Sequence, residues 1–277
     1  MNDSISERTE LKKLILQTIK KSDLIELANS FNKDSKGTID NLITGLLNIP
    51  IDDIRKFIKR KYQEKIEARR EITPDDILKH ELMKVNEVKW GVVQGELDGK
   101  IQREYVRKFY KYDELLLNAK NYLYNDVEGY VISTWYNHWT TVLIEDHISS
   151  HPRVIPTLKN KGGIDTFFDN HPFDLKITYL PKKYVSSGMP NDEKELIKWL
   201  YENQGAQRFG ADNRLFIVLL NKNKPEDSWE LKRDFDFIFR RIDEFFDNSI
   251  ITEDDKIKFN FHGKEYRTIS KMLIISK

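Results

Sequence analysis

The sequence predicts a mixed α/β fold, in which a mixed β-sheet is flanked by helices and preceded by a helical N-terminal region. Apolar residues recur at helical spacing through about the first 70 residues. Further on, a long helical pattern precedes two short strand-like segments that share a tight turn. A second helix then leads to an almost wholly apolar segment, 215–221, which is typical of a strand buried on both faces. The predicted core order is therefore helix, strand, strand, helix, strand.

Two short helices open the N-terminal region. Apolar residues within 24–31 fall on one helical face behind Ser22, which we expect to cap the helix, and 39–47 repeat the pattern behind Thr38. Pro50 separates these helices from a longer one. The helix, turn, helix arrangement resembles small DNA-binding modules of the SAP kind, and a helical dimerisation or packing region explains the same pattern equally well.

The longer helix carries the densest basic stretch of the chain. Helical spacing gathers several of these cations on one face, where they would contact phosphates. Glu64, Glu67 and Glu71 supply ion-pair partners at helical spacing, so a solvated and internally paired face is the alternative. The basic stretch consists of Arg55, Lys56, Lys59, Arg60 and Lys61.

The secondary structure of the middle of the chain is predicted less clearly than that of the two ends. Thr73-Pro-Asp-Asp is a good helix start, but up to about Asn125 the pattern fits either a hairpin turned at Asp98-Gly99 or mostly helix. The elements predicted after it are a helix over 126–149 ending before Pro152, strands 164–168 and 173–180, a helix over 192–202, strand 215–221, a helix over 228–247, and a hairpin turned at His262-Gly263 with a final strand.

Composition excludes several classes of protein. The 46 basic and 45 acidic residues nearly cancel, so a histone-like nucleic-acid binder is excluded. The chain has no cysteine, so any metal site must use oxygen or imidazole ligands. No apolar run approaches the roughly 18 residues of a membrane span, and the polar start lacks the apolar stretch of a signal peptide. We therefore expect a cytoplasmic protein with no membrane partner.

The segment 161–181 places two carboxylates opposite each other. If the turn centres between Asp169 and Asn170, the antiparallel register pairs Asp165 with Asp174. Lys176 lies two residues beyond Asp174 and so projects from the same face. Like charges directly opposed are destabilising, so this arrangement needs a compensating cation. Mg²⁺ suits such a pair because it prefers oxygen ligands, and phosphate hydrolysis is the chemistry that it would support. Surface carboxylates of the hairpin paired with Lys176 are the alternative to a metal site.

Gly-Gly-Ile-Asp165, a short hairpin, and then Asp174-Leu175-Lys176 together resemble the PD-(D/E)XK nuclease superfamily. The resemblance implies a restriction-endonuclease-like core of helix, strand, strand, strand, helix, strand, with Asp165 and Asp174 as metal ligands and Lys176 as the catalytic lysine. The proline that usually precedes the first acid is replaced by Ile164. An upstream helical acid often joins such metal sites; Glu145 is the best match, and Glu128 is the alternative.

The segment around the second helix of the core resembles those of type II restriction endonucleases. Arginine, asparagine and glutamine side chains read base edges and bind phosphates, and glycines at 205 and 210 punctuate a polar loop there. A loop whose arginines pair with nearby carboxylates is the alternative. The candidate DNA-binding residues are Gln204, Gln207, Arg208, Asn213 and Arg214, together with Lys182 and Lys183 after the second strand.

The resemblance implies a Mg²⁺-dependent type II restriction enzyme that cuts double-stranded DNA at a specific sequence. A helical region, 1–72, for DNA binding or dimerisation would precede a catalytic domain, 73–277. A homodimer is expected, since two symmetric subunits commonly cut the two strands of a palindromic site. A structure-specific or repair nuclease of the same fold, or a non-catalytic DNA-binding module, is the alternative.

Overall fold

The computed structural model of the protein describes residues 2–88, 99, 101–122, 125–181, 184, 192–203, 213–261 and 263–277. These residues form a mixed α/β fold with a six-stranded mixed sheet, as the sequence predicts. No helix in the described ranges is both long enough and apolar enough to cross a membrane.

The N-terminal part of the chain folds into four helices. They are α1 (Asn2–Gln17), α2 (Lys21–Ser30), α3 (Ile39–Leu46) and α4 (Ile51–Ile72). The Thr38 side chain accepts a hydrogen bond from the Asn41 amide and caps α3 as predicted. Ser22 does not cap α2, because that helix begins one residue earlier and its N-cap position is Lys20.

Helices also fill the described part of the middle segment. They are α5 (Asp75–Met83), a π-helical turn (Gln102–Val106), α6 (Tyr112–Tyr122) and α7 (Asn125–Ser150). The helical alternative therefore holds wherever this segment is described, while Asp98 of the hairpin alternative lies outside the described residues. The observed α7 matches the predicted helix over 126–149 to within one residue at each end.

The rest of the chain supplies the sheet and its remaining helices. These elements are β1 (Val154–Lys161), β2 (Ile164–Phe168), β3 (His171–Tyr179), α8 (Glu193–Asn203), β4 (Arg214–Leu220), α9 (Ser228–Leu231), α10 (Phe235–Asn248), β5 (Lys256–Phe261) and β6 (Lys264–Ser276), with 3₁₀ turns at Pro225–Asp227 and Glu253–Asp255. The strand order is β1-β2-β3-β4-β6-β5. The predicted final hairpin and strand are one pair, β5 and a long β6, and the predicted helix over 228–247 is two helices, α9 and α10.

Strand β1 was not predicted, and it completes the run of three strands between α7 and α8. Gly162 and Gly163 both have positive φ, 63° and 83°, which a two-residue hairpin turn requires and glycine adopts without strain. Lys161 pairs with Ile164 across this turn. Pro156 in the middle of β1 weakens the strand signal, but β1 is the edge strand of the sheet, where proline is tolerated.

Contacts divide the chain into two compact units. The first comprises residues 1–64, 149–218 and 242–275, and the second comprises 65–148, 219–241 and 276–277. This division differs from the predicted boundary at residue 72, because the N-terminal helices share a core with the sheet. Apolar side chains of α1 to α4 pack together with Ile155 of β1 and Phe167 of β2. Within the same unit, α8 packs on β4, β5 and β6.

Candidate active site on the second hairpin

The β2–β3 hairpin has the register that the sequence predicts. Phe168 pairs with His171, Phe167 with Pro172, and Thr166 with Phe173. Asp169 and Asn170 form the turn with φ of 49° and 64°, in the left-handed region that a tight two-residue turn requires. Asparagine and aspartate tolerate this conformation better than other side chains with a Cβ. The ladder ends at the pair of Thr166 and Phe173, and extending its register by one residue would place Asp165 opposite Asp174.

Asp165 is held at the start of β2 by the backbone of β3. Its Oδ2 accepts a hydrogen bond of 2.9 Å from the Leu175 amide. Burial raises the pKa of the Asp165 carboxyl to about 6; the Leu175 hydrogen bond opposes this rise, and the charge and hydrogen bond of Asp174 add to it. The two carboxyl groups are therefore close enough to interact directly, as the predicted register requires.

Asp174 lies deeper, with only 6% of its surface exposed. Its Oδ1 accepts a hydrogen bond of 2.8 Å from the Lys176 ammonium. Its Oδ2 lies 3.3 Å from Nε of Arg214 in an ion pair whose N–H is not aligned for a hydrogen bond. Its backbone amide donates to the Asn213 carbonyl, at 2.9 Å. The structure thus brings the two acids and the lysine together as predicted, and adds Arg214 behind them.

Arg214 is buried rather than presented on a surface. It is 5% exposed, and its guanidinium carbon lies 4.8 Å from the centre of the Tyr201 ring on α8. The Tyr201 hydroxyl in turn hydrogen-bonds the Ser270 hydroxyl of β6, at 2.8 Å. The predicted role of Arg214 in DNA contact does not fit this placement, which instead makes it a support for Asp174. The placement agrees with the alternative in which the arginines of this segment pair with carboxylates, although the partner, Asp174, lies 40 positions away in the chain.

Asn213 also serves the sheet. Its Nδ2 donates to the Pro172 carbonyl at 3.1 Å, and its Oδ1 accepts from the Ile269 amide at 2.8 Å. The side chain thereby ties β3 to β6 at the edge of the site. The other DNA-binding candidates, Gln204, Gln207, Arg208, Lys182 and Lys183, lie outside the described residues.

The two candidates for a third acid belong to the second unit. Glu145 is part of α7, where its charge acts on the buried ammonium of Lys232. Glu128 lies near the start of the same helix, 4.0 Å from Lys120. Asp165, Asp174 and Lys176 belong to the first unit, and the participation of either glutamate in the site stays a prediction.

The donor set of the hairpin fits a hard divalent cation. Among the described residues, no group of three or more histidine, aspartate or glutamate side chains is arranged to hold a metal ion. Two carboxylates are nevertheless sufficient for Mg²⁺, which keeps several waters and is commonly bound through one or two carboxylates together with substrate phosphates. Asp165 and Asp174 are such a pair, and the raised pKa of Asp165 reflects a buried negative charge that a cation would compensate.

The basic stretch of α4 divides into two sets. Arg60 and Lys61 form ion pairs of 2.6 to 2.9 Å with Glu26 and Glu64, which is the paired helix face that the sequence offered as an alternative. Arg55 forms an ion pair of 3.2 Å with Asp52 and also donates to the Asn170 side chain at the tip of the hairpin, at 2.6 Å. The basic stretch therefore contacts the hairpin of the candidate site through Arg55.

Comparison of the chain with known proteins finds no matching family model, no matching curated protein and no matching solved structure. The functional argument therefore stands on the residues of the hairpin and on their surroundings.

Proposed function

We propose that the protein is a Mg²⁺-dependent endonuclease that hydrolyses phosphodiester bonds of double-stranded DNA at a specific sequence, as type II restriction enzymes do. The observation that carries the proposal is the convergence of Asp165, Asp174 and Lys176 on one hairpin, with both acids drawn out of water. The run of α7, three strands, α8 and β4 supports it, because the resemblance to PD-(D/E)XK nucleases implies that order of elements.

Each side chain has a role that follows from its position. Asp165 and Asp174 would hold Mg²⁺, with Glu145 assisting, and bound Mg²⁺ polarises a phosphoryl oxygen and lowers the pKa of water. The Leu175 amide fixes Asp165, and Arg214 fixes the far oxygen of Asp174. The Lys176 ammonium, now on the near oxygen of Asp174, would orient the attacking water and stabilise negative charge developing on the phosphate.

Cleavage of both strands at a specific site is best explained by a homodimer. Two subunits related by a twofold axis present the same site to each strand of a palindromic sequence. The near-neutral net charge agrees with a specific cutter, since its cations would be concentrated where the DNA lies.

The proposal is tested by replacing Asp174 with asparagine, which removes a metal ligand while keeping its size. Asp174→Asn should lower the rate of Mg²⁺-dependent cleavage of phage and plasmid DNA by at least ~100-fold, with DNA binding in EDTA retained. Asp254→Asn is the matched control, because that carboxylate is 93% exposed, and it should cut at the wild-type rate. Cleavage by Asp174→Asn at the wild-type rate would remove Asp174 from the mechanism.

A further inference from the structure

Two adjoining grooves, of about 710 and 670 Å³, lie in the first unit where the tip of the β2–β3 hairpin meets α1 and α4. Both are lined by Asp52, Arg55 and Asn170, so they adjoin each other, and together they are called here the basic groove. We propose that the basic groove binds the phosphate backbone of duplex DNA and aligns it with the acids of the hairpin. This inference rests on the proposed function and assigns a role to the N-terminal helices.

The charge of the basic groove is strongly positive, although that of the whole chain is near zero. Among the described residues, two carboxylates line it: Asp52, paired with Arg55 at 3.2 Å, and Asp169, which lies 3.8 Å from Arg153. The cations that line it are Arg8, Lys12, Arg55, Lys56, Lys59 and Arg153. They come from α1, α4 and the start of β1, and so converge only in the folded protein. Such a concentration of positive charge is the electrostatic footprint expected of a phosphate-binding surface.

Two of these cations are anchored by carbonyl groups, which fix their positions, and neither forms an ion pair within the part of the chain that the structure describes. The Lys12 ammonium donates to the carbonyls of Leu47 and Ile49, both at 2.8 Å. The Lys59 ammonium donates to the carbonyls of Ser149 and His151, at the end of α7. Burial lowers the pKa of Lys59 to about 8, so this ammonium is still mostly charged at neutral pH.

Lys56 is an accessible cation at the rim of the basic groove. Its side chain is 81% exposed, and its contact with Asp53 is long, at 3.8 Å. Arg153 is held by a carbonyl from α10 and lies over the Phe168 ring, at 5.0 Å. The groove therefore combines prearranged cations in its wall with an accessible lysine at its rim, which suits an extended polyanion better than a small enclosed ligand.

The basic groove and the acids share a face of the hairpin. Phe167 lines the groove, and Asp165 lies two residues before it on the same strand, so both side chains project from the same side. From Asp169 at the tip to Asp165 is four residues, or ~13 Å along the strand. Since phosphates on one DNA strand advance ~3.4 Å per step along the helix axis, the groove would hold the backbone about four base pairs from the cleaved bond.

Contacts of this kind position a duplex without reading its sequence. The basic groove would thus supply affinity and orientation, while side chains elsewhere supply specificity. Counterion release makes this testable, because each phosphate contact that is lost reduces the dependence of log affinity on log salt by ~0.9.

The test compares two double variants, each of which removes one arginine and one lysine charge. Arg8→Gln with Lys56→Gln alters the basic groove, and Arg60→Gln with Lys61→Gln alters the paired part of α4 as a matched control. Binding of a fluorescent 30-base-pair duplex is measured by anisotropy in EDTA at several salt concentrations, after circular dichroism has verified folding. We expect the groove variant to lose ~2 from the salt slope and to bind at least ~10-fold more weakly at 0.1 M salt, with the control unchanged.

Three results would overturn the inference: no duplex binding by the wild type, a groove variant that binds like the wild type, or equal losses in both variants. Cleavage assays separate this inference from the proposed function. If the wild type cuts DNA and the groove variant binds DNA as the wild type does, the inference about the basic groove is wrong and the proposed nuclease function stands. If the salt slope falls only in the groove variant and none of the proteins cleaves DNA, the inference about the basic groove is supported and the proposed nuclease function is rejected.

Discussion

The guanidinium of Arg214 lies 3.3 Å from the carboxylate of Asp174, Nε to Oδ2, and both side chains are buried. Asp174 also accepts a hydrogen bond from Lys176 on its other oxygen, so one buried carboxylate contacts two cations. Tyr201 covers the guanidinium and fixes its plane. Burying a carboxylate costs free energy unless the carboxylate is paired. Arg214 is the buried partner that offsets this cost for Asp174.

Arg214→Gln should therefore destabilise the protein strongly. Removing one partner of a buried ion pair costs about 3 to 5 kcal/mol when the remaining charge is left without a partner. Lys176 still contacts Asp174 in this variant, so we expect a loss near the lower end of that range. Arg267→Gln is the control, because Arg267 is 71% exposed and solvent screens its ion pair with Glu265, so that variant should be almost as stable as the wild type. Urea unfolding followed by circular dichroism measures both. Equal losses in the two variants would mean that the Arg214 pair is not structurally important.

The turn of the β2–β3 hairpin should discriminate between residues at position 170. Asn170 has φ of 64°, which glycine adopts freely and a β-branched residue adopts only with strain. Asn170→Gly and Asn170→Val both lose the hydrogen bond from Arg55. The difference between their free energies of unfolding therefore reports the backbone strain at position 170. We expect the valine variant to be less stable than the glycine variant by about 1 to 3 kcal/mol in urea unfolding. Equal stabilities would argue against the left-handed turn.

Lys232 should make stability depend on pH. The side chain is 1% exposed, and burial lowers its pKa to about 7, although Glu145 opposes the shift. Its ammonium donates to the Asn137 side chain and, at 2.6 Å, to the Thr141 hydroxyl. The unfolded chain keeps this proton up to the ordinary pKa of 10.5, so between these values the unfolded state binds more protons and stability rises with pH.

The comparison with Lys232→Met isolates this contribution from those of other groups. From pH 7 to pH 9, the free energy of unfolding of the wild type should rise by of order 2 kcal/mol more than that of the variant. Denaturant titrations at the two pH values measure this difference. Parallel changes in both proteins would show that Lys232 keeps its proton in the folded state.

Structural features formed by residues close together in the sequence could be predicted, whereas those formed by residues far apart in the sequence could not. The hairpin register, and with it the approach of Asp165 to Asp174, follows from a two-residue turn and the period of a strand. Strand β1 was missed because Pro156 obscures it, although the Gly-Gly turn after it was a usable signal. Pairing of Arg214 with a carboxylate was one of the two alternatives, but its partner Asp174 and the basic groove could not be predicted, because their members are distant in the chain and only folding brings them together.

The most direct test of the nuclease assignment uses Lys176, which contacts Asp174 at 2.8 Å but is itself one-third exposed. Wild type and Lys176→Ala are incubated with unmethylated phage and plasmid DNA, in Mg²⁺ or in EDTA, and the products are resolved on a gel. We predict discrete bands for the wild type in Mg²⁺, none in EDTA, and none for Lys176→Ala. Intact DNA in every lane, or equal cleavage by the two proteins, would contradict the proposed mechanism.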